Sequence, residues 1–294
     1  MDLKYIVNDN KYKTIKNVLK THFCISNRLI TKLKQNNKIL LNQKVSHINT
    51  TLHIGDEINI NLDFNEISDN IVSVKMDLNI IYEDEYLLIV NKTYELPVHP
   101  SMLHYNNSLS NGVKYYFESN NIKRKIRAVN RLDKDTSGIV IFAKNEYIQE
   151  CLIKQMKSKT FKKYYLAILE GNLENKKGTI NAPILRKENS IIEREVNEKG
   201  AVAITHYKLI KNFTYKMFNF ALVEFELETG RTHQIRVHSK YINHPILGDT
   251  LYGNASSLIS RQALHAYKVS FLHPVTKQNI ILETELPDDI KKIL

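Results

Sequence analysis

Strand-like apolar runs dominate the chain from Leu78 onward, and this feature constrains the fold more than any other. The runs are short and are separated by polar residues, and helical spacing of apolar side chains appears only between some of them. The strand-like runs occupy residues 80–82, 86–90, 138–142, 164–169, 205–210 and 218–227, and helical spacing occupies 148–156 and 235–242. The pattern predicts an α+β fold in which helices flank a mixed sheet.

A basic unit precedes this region. Residues 1–62 carry nine Lys and one Arg but only four acidic residues, so about a fifth of the chain holds about half of its net charge of +11. Apolar residues recur twice at helical spacing, the second time behind Ser26 as a candidate N-cap, and short strand-like runs surround an Asn42-Gln43 turn. A surface this basic favours a polyanionic partner such as nucleic acid.

The stretch between these two regions is polar and locally acidic, which is typical of a linker. We therefore predict a small basic domain at residues 1–62, a linker at 63–77 and a larger domain at 78–294. A chain of 294 residues is long enough for two domains.

The length of the apolar runs and the spacing of the cysteines argue against several classes of protein. No apolar run approaches the roughly 20 residues of a membrane helix, and the first residues lack a signal pattern. Cys24 and Cys151 lie far apart and outside any CxxC spacing, which argues against a disulfide framework and a cysteine zinc site. We expect a soluble cytoplasmic protein without a membrane partner, with a monomer as the default state.

In the basic unit, Arg28 and Lys32 lie on the second predicted helix, and Lys44 lies in the predicted turn at residues 41–45. With the order of helices and strands, these features resemble the RNA-binding domain first seen in ribosomal small-subunit protein four. Gln43 stands where members of that family usually have Gly. The resemblance implies that Arg28, Lys32 and Lys44 contact RNA, although the residues alone fit a basic helical cap on an enzyme equally well.

Charged and hydroxyl residues cluster at positions 131–138, directly before a fully apolar strand. The cluster contains Arg131 and Asp133. Loops of this composition are often functional. Asp and Thr before a strand also close ordinary turns, so Asp133 alone does not identify a site.

A second cluster lies at residues 227–238, where a predicted strand ends and a helix begins. It brings Arg231, His233, Arg236 and His238 to one corner, while Tyr165 lies within another predicted strand.

Together these segments resemble the RluA/RluD family of RNA pseudouridine synthases. The resemblance also includes the runs at 80–86, 90–92, 96–100 and 244–249, so it covers nearly all of residues 78–285. Asn130 stands where members often have His, and Thr93 where they often have Pro. The family implies a catalytic domain built on a mixed, mainly antiparallel sheet and preceded by a small α/β RNA-binding domain.

The resemblance also implies roles for individual residues. Asp133 would be the catalytic residue, Arg236 its cationic partner and Tyr165 the aromatic face for the base, while Arg131, Arg231 and His233 would contact RNA. One carboxylate serves this isomerisation as nucleophile or as base, so we expect no metal and no cofactor. A carboxylate in a dry pocket needs a cation to stay ionised, and a bidentate arginine would also fix its direction.

Other interpretations remain open at this stage. RNA is the expected partner, with large-subunit ribosomal RNA favoured over transfer RNA. A catalytically inactive RNA-binding or ribosome-assembly protein is the main alternative. A zinc hydrolase built on His233, His238 and His244 is disfavoured because a five-residue step is not a standard ligand interval.

Overall fold

The computed structural model describes residues 1–66, 68 and 70–294. It contains a small N-terminal sheet, a two-stranded hairpin and a large central sheet. Within the described residues, no helix is both long and apolar enough to cross a membrane.

The N-terminal unit follows the predicted order of helices and strands, with one strand added at its start. In chain order its elements are β1 (Asp2–Ile6), α1 (Ile15–Asn17) with a π-helical turn (Val18–His22), α2 (Asn27–Gln35), β2 (Ile39–Leu41), β3 (Lys44–Val45) and β4 (Glu57–Asn61). Ser26 caps α2 as predicted, because its Oγ accepts a hydrogen bond from the backbone N–H of Leu29 at 3.2 Å. Asn42 and Gln43 both adopt positive φ, as a tight turn between β2 and β3 requires.

The central sheet has nine strands in the described part of the chain and is mainly antiparallel. The strands are β5 (Ile80–Glu83), β6 (Leu87–Lys92), β7 (Ser137–Ala143), β8 (Lys162–Glu170), β9 (Lys177–Asn181), β12 (Ile204–Tyr215), β13 (Phe218–Leu227), β14 (Leu264–Leu272) and β15 (Asn279–Glu283). Their order is β5-β6-β7-β14-β8-β13-β12-β9, and β15 pairs with the second half of β14, at residues 268–272. One pair, β7 with β14, is parallel. The α+β class with a mainly antiparallel sheet is therefore confirmed.

The helices and one hairpin complete the larger region. They are α3 (Leu109–Ser119), α4 (Glu146–Lys157), the hairpin of β10 (Ile184–Arg186) and β11 (Arg194–Val196), α5 (Gln234–Tyr241) and α6 (Asp288–Lys291). The strand-like runs and the helical spacing noted in the sequence correspond to β5–β8, β12, β13, α4 and α5. In the larger region, the elements α3, β9, β10, β11, β14, β15 and α6 were not predicted.

Strand β7 lies at the centre of the sheet and positions the loop that precedes it. All seven of its residues are buried. Gly138 has φ +119°, and a Cβ at this position would lie 2.2 Å from the carbonyl oxygen of Ala266 on β14. Only glycine allows β7 and β14 to approach this closely, so this residue fixes where the loop at 131–136 enters the sheet.

Helix α2 of the N-terminal unit packs directly against α4 of the larger region. Ser26 Oγ donates to Glu150 at 2.6 Å, Arg28 lies 3.2 Å from Glu146, and Lys32 contacts both Glu146 and Glu66. Apolar residues of both units form one continuous core. The two units therefore contact each other through buried apolar surface as well as through ion pairs.

The segment predicted as a linker contains no helix or strand in its described residues. Positions 67 and 69 of that segment lie outside the described residues. Glu66 is paired with Arg127 at 2.6 Å, and Lys114 donates to the carbonyl oxygens of Ser68 and Ile71. The described part of this segment therefore packs against the larger region.

Candidate active site

A cleft of about 1000 Å³ opens beside the central sheet. Its walls come from the Asp133 loop, the start of β8, the corner between β13 and α5, the loop at 97–101 and the end of α4. The volume lies at the upper end of the range for small-molecule sites, so it accommodates more than a nucleobase.

Asp133 lies in the loop before β7 with its carboxylate directed to the cleft. The backbone N–H of Thr136 donates to the Asp133 carbonyl oxygen at 3.1 Å, which closes the turn. The Asp133 side chain is 27% exposed, and its Oδ2 lies 3.2 Å from Nη1 of Arg236. Its Oδ1 makes no hydrogen bond within the described residues. One carboxylate oxygen is therefore bound by a cation, and the other is not.

Arg236, on the buried face of α5, connects two carboxylates. Its Nε and Nη2 donate to Oδ2 and Oδ1 of Asp249 at 2.7 and 2.8 Å, and only Nη1 reaches Asp133. The expectation that Arg236 forms a bidentate pair with Asp133 is therefore wrong, because the bidentate partner is Asp249. Burial lowers the pKa of Arg236, but the hydrogen bonds and charge of Asp249, with a further contribution from Asp133, raise it overall.

Asp249 is fully buried and was not recognised as a site residue. Besides Arg236, its Oδ1 accepts hydrogen bonds from the backbone N–H groups of Leu251 and Tyr252 at 3.1 and 3.2 Å. The run at 244–249 was part of the sequence resemblance, and its acidic residue was the available signal. Asp249 fixes the guanidinium so that only Nη1 reaches Asp133.

Tyr165 lies on β8 and is 7% exposed at the floor of the cleft. Burial, and to a lesser extent the charge of Asp133, raises the pKa of its phenol, so the hydroxyl is protonated at neutral pH. The hydroxyl makes no hydrogen bond within the part of the chain that the structure describes. The structure thus brings together Asp133, Arg236 and Tyr165, the three residues predicted to be catalytic.

Two buried basic residues and a glutamine form hydrogen bonds with the Asp133 loop. Lys92 donates to the carbonyl oxygens of Thr93 and Lys134 at 2.8 and 2.9 Å, and burial lowers its pKa to about 7. Arg261 donates to the carbonyl oxygen of Asp135 at 3.1 Å, and Gln262 donates to the hydroxyl of Thr136 at 3.2 Å. Sequence reasoning missed these roles, although Lys92 lies in a run that carries the resemblance.

Asn130 replaces the histidine frequent in the family and has a structural role. Its Nδ2 donates to the carbonyl oxygen of Ile139 at 2.9 Å, and its Oδ1 accepts from the N–H of Ile141 at the same distance. The amide therefore joins the Asp133 loop to β7.

The residues predicted to bind RNA fall into two groups. Arg131 and Arg231 are exposed on the wall of the cleft, and Nε of Arg231 donates to the carbonyl oxygen of Val202 at 2.9 Å. Arg28, Lys32 and Lys44 lie on the N-terminal unit instead. Lys44 is exposed on β3, whereas Lys32 is paired with Glu66 and Glu146 and Arg28 with Glu146. Their contact with RNA stays a prediction.

The three histidines considered as zinc ligands face different partners. His238 donates from Nε2 to the carbonyl oxygen of Ala182 at 2.9 Å, and His244 donates from Nδ1 to the carbonyl oxygen of Glu170 at 2.9 Å. His233 lies beside Asp133, with its Nε2 3.9 Å from Oδ2 and its Nδ1 2.8 Å from the hydroxyl of Tyr252. The three side chains therefore do not point to a common centre.

Comparison with known proteins identifies the family. The model of the RNA pseudouridylate synthase family matches residues 86–241, more than half of the chain. The chain belongs to this family. The model of the RluD ribosomal pseudouridine synthase N-terminal domain matches residues 4–58. The resemblance noted in the sequence is thus confirmed, and the chain is an RNA pseudouridine synthase.

Similar proteins extend over most of the chain. Uncharacterized RNA pseudouridine synthase YhcT of Bacillus subtilis (strain 168) is 40% identical over 94% of this chain and 90% of its own length. Ribosomal large subunit pseudouridine synthase D of Blochmanniella floridana is 35% identical over 88% of this chain and 86% of its own length. The solved structure of Human RNA Pseudouridylate Synthase Domain Containing 1 has a TM-score of 0.59 and 25% identity, covering 71% of this chain and 83% of that chain.

Proposed function

We propose that this pseudouridine synthase isomerises specific uridines of large-subunit ribosomal RNA, with Asp133 as its catalytic residue and without a metal or cofactor. The single observation that carries the catalytic assignment is the asymmetry of the Asp133 carboxylate. Arg236 binds Oδ2, while Oδ1 has no hydrogen-bond partner within the described residues, and Asp133 lines the cleft.

The reaction breaks the glycosidic bond between C1′ and N1 of uridine and forms a bond between C1′ and C5. In one route, Oδ1 of Asp133 attacks C1′ and the uracil leaves with the bonding electrons. In the other, the carboxylate removes the proton on C2′. Loss of uracil in the second route leaves a glycal. In both routes the uracil then turns within the cleft and C5 bonds to C1′. This displaces the Asp133 carboxylate in the first route and is accompanied by return of the proton to C2′ in the second. Finally C5 loses its proton and N1 gains one. No electrons are gained or lost overall, so the proposed residues suffice.

The shape of the cleft fits a base that has left the RNA stack. An enzyme that acts on a base within folded RNA has to flip the nucleotide outward and hold the base against an apolar or aromatic face. Tyr165 supplies that face beside Asp133, and its protonated hydroxyl supplies a hydrogen-bond donor. We assign the exposed Arg131 and Arg231 at the cleft wall to the phosphates that flank the flipped uridine.

Ribosomal RNA is the proposed substrate because several relatives that match most of this chain are named ribosomal large subunit pseudouridine synthase D. We propose that residues 1–62 bind structured RNA, through Lys44, Arg28 and Lys32, and that residues 78–294 carry the chemistry. The basic N-terminal surface would act mainly on phosphates, which fix position without reading sequence.

Asp133→Asn tests the catalytic assignment. The amide keeps the shape of the side chain but cannot act as nucleophile or base, so we expect binding of RNA to persist and the reaction to stop. The measurement is tritium release from a large-subunit ribosomal RNA transcript labelled at C5 of uridine, under single-turnover conditions. Release by the variant at a rate comparable with wild type excludes Asp133 as the catalyst. Loss of release by wild-type enzyme on addition of a chelator excludes the metal-free mechanism.

A further inference from the structure

His233 has an unusual position for a residue assigned to RNA binding. It is the N-cap of α5 with φ +57°, a left-handed conformation, and it makes no side-chain cap hydrogen bond. Its ring points instead between Asp133 and Tyr252. The side chain therefore lies on the reacting carboxylate rather than at the rim of the cleft.

Hydrogen bonding at Tyr252 determines which nitrogen of His233 carries the proton. The Tyr252 oxygen accepts a hydrogen bond from the backbone N–H of Arg194 at 2.9 Å and lies 2.8 Å from Nδ1 of His233. Burial raises the pKa of Tyr252 to about 12, so the phenol keeps its proton at neutral pH. Within the described residues, the acceptor for this proton is Nδ1 of His233, which must then be unprotonated.

The other side of the ring leads to the same tautomer. Burial lowers the pKa of His233, so the imidazole is neutral at pH 7 and carries one proton. If that proton were on Nδ1, the bare lone pair of Nε2 would face the Asp133 carboxylate and the Tyr252 proton would have no acceptor. With the proton on Nε2, both contacts are favourable.

We propose that His233 is a positioning residue for Asp133. Tyr252 holds the His233 imidazole as the Nε2–H tautomer. The Nε2–H then approaches Oδ2 of Asp133 alongside Arg236, which leaves Oδ1 as the reacting oxygen. The separation of 3.9 Å is about 1 Å longer than a direct hydrogen bond, and catalytic hydrogen bonds commonly shorten when substrate binds. A neutral donor orients the carboxylate without adding a second full positive charge, so the carboxylate remains reactive.

The tautomer can be measured without substrate. Chemical shifts of ¹⁵N in histidine-labelled protein distinguish a protonated from an unprotonated ring nitrogen, and the His233 signals among the eleven histidines are those that disappear in His233→Asn. We expect a protonated Nε2 and an unprotonated Nδ1 in wild type, and a mixture of tautomers in Tyr252→Phe. A protonated Nδ1 in wild type overturns the proposal.

The contact with Asp133 is tested by two replacements of His233. The amide nitrogen of Gln lies near the position of Nε2, whereas that of Asn lies near Nδ1 and does not reach Asp133. We therefore expect His233→Gln to release tritium about fivefold faster than His233→Asn at saturating RNA, the worth of about one hydrogen bond. Equal rates in two folded variants, judged by circular dichroism, exclude the contact.

Tyr252→Phe supplies a test that leaves His233 in place. It keeps the ring that lies 5.1 Å from the Arg236 guanidinium and removes the hydroxyl. We expect a rate about fivefold below wild type, with an unchanged Kd for RNA. A wild-type rate in a variant with mixed tautomers contradicts the proposal. The expected rates rest on the proposed function, whereas the tautomer of His233 does not. A failure of the proposed function is therefore distinguishable from a failure of the tautomer assignment.

Discussion

Asp249→Asn tests how the active site is held together. The substitution keeps the size of the side chain but removes the charge from a fully buried carboxylate that makes two hydrogen bonds to Arg236. Removal of one partner of a buried ion pair costs about 3–5 kcal/mol, because the remaining charge stays buried. Two contacts reduce that cost: the Asn carbonyl still accepts from the N–H groups at 251 and 252, and Asp133 still lies 3.2 Å from the guanidinium.

We therefore expect the free energy of unfolding to fall by roughly 2–3 kcal/mol, or about 3–5 °C in Tm for a chain of this size. The rate should fall further than stability explains. In the variant, the Asn amide nitrogen replaces the oxygen that accepts from Nε of Arg236, so the bidentate pair is lost and the guanidinium can turn to bind both oxygens of Asp133. Because Oδ1, the proposed reacting oxygen, is then occupied, we expect single-turnover tritium release to slow on the order of 100-fold.

Calorimetry gives the change in Tm, and tritium release at a temperature where the variant is fully folded gives the rate. Glu83→Gln is the matched control, since Glu83 accepts at 2.7 Å from the buried Lys144 on an edge of the sheet away from the cleft. It should lower Tm while leaving the rate at the wild-type value. An Asp249→Asn variant with a lowered Tm and a wild-type rate would refute the positioning argument. An unchanged Tm would refute the estimated loss in free energy of unfolding.

Three further predictions concern binding and stability. Lys44→Gln should weaken RNA binding and reduce the slope of log K against log salt by about 0.7–0.9, the release expected for one phosphate; an unchanged slope measured by salt titration argues against contact at β3. Lys92→Met should change how stability depends on pH. Between pH 7 and 10.5 the unfolded chain keeps a proton that folded Lys92 has lost, so the stability of wild type relative to the variant should increase with pH in urea titrations. Gly138→Ala should destabilise by more than about 3 kcal/mol or prevent folding, whereas Gly55→Ala, with positive φ but open space, should cost about 1 kcal/mol in thermal unfolding.

The sequence predicts most elements whose signal is local. The capped helix α2, the Asn42-Gln43 turn and strand β13 (Phe218–Leu227) each follow from residues within a few positions of one another. Strand β14 was not predicted because its place between β7 and β8 depends on partners about 100 to 130 residues away in the chain. Helix α3 was not predicted because its capping box, formed by Ser108 and Asn111, lies within a polar stretch that resembles a loop.

The same distinction applies to the site. Asp133, Arg236 and Tyr165 were predicted because their local runs resemble those of a known family, and the structure places them together. The bidentate partner of Arg236 was predicted wrongly. Asp133 and Asp249 lie 103 and 13 residues from Arg236 in the sequence, and both contact it in the fold. No local pattern specifies such a choice, since it depends on how α5 packs against the turn at 249–252.

The charges of the active site and the basic composition of the chain have different roles. Around the Asp133 loop, the buried cations Lys92, Arg236 and Arg261 lie among four carboxylates, those of residues 133, 135, 249 and 289. These groups together carry no net positive charge, so they do not attract RNA by net charge. The surplus lies outside, on the N-terminal unit and on cleft residues such as Arg131, which is not paired with a carboxylate within the described residues. Salt should therefore weaken RNA binding far more than it slows the reaction of bound RNA, because exposed charges are screened and buried pairs are not. A single-turnover rate at saturating RNA that falls with salt as steeply as affinity does would refute this separation.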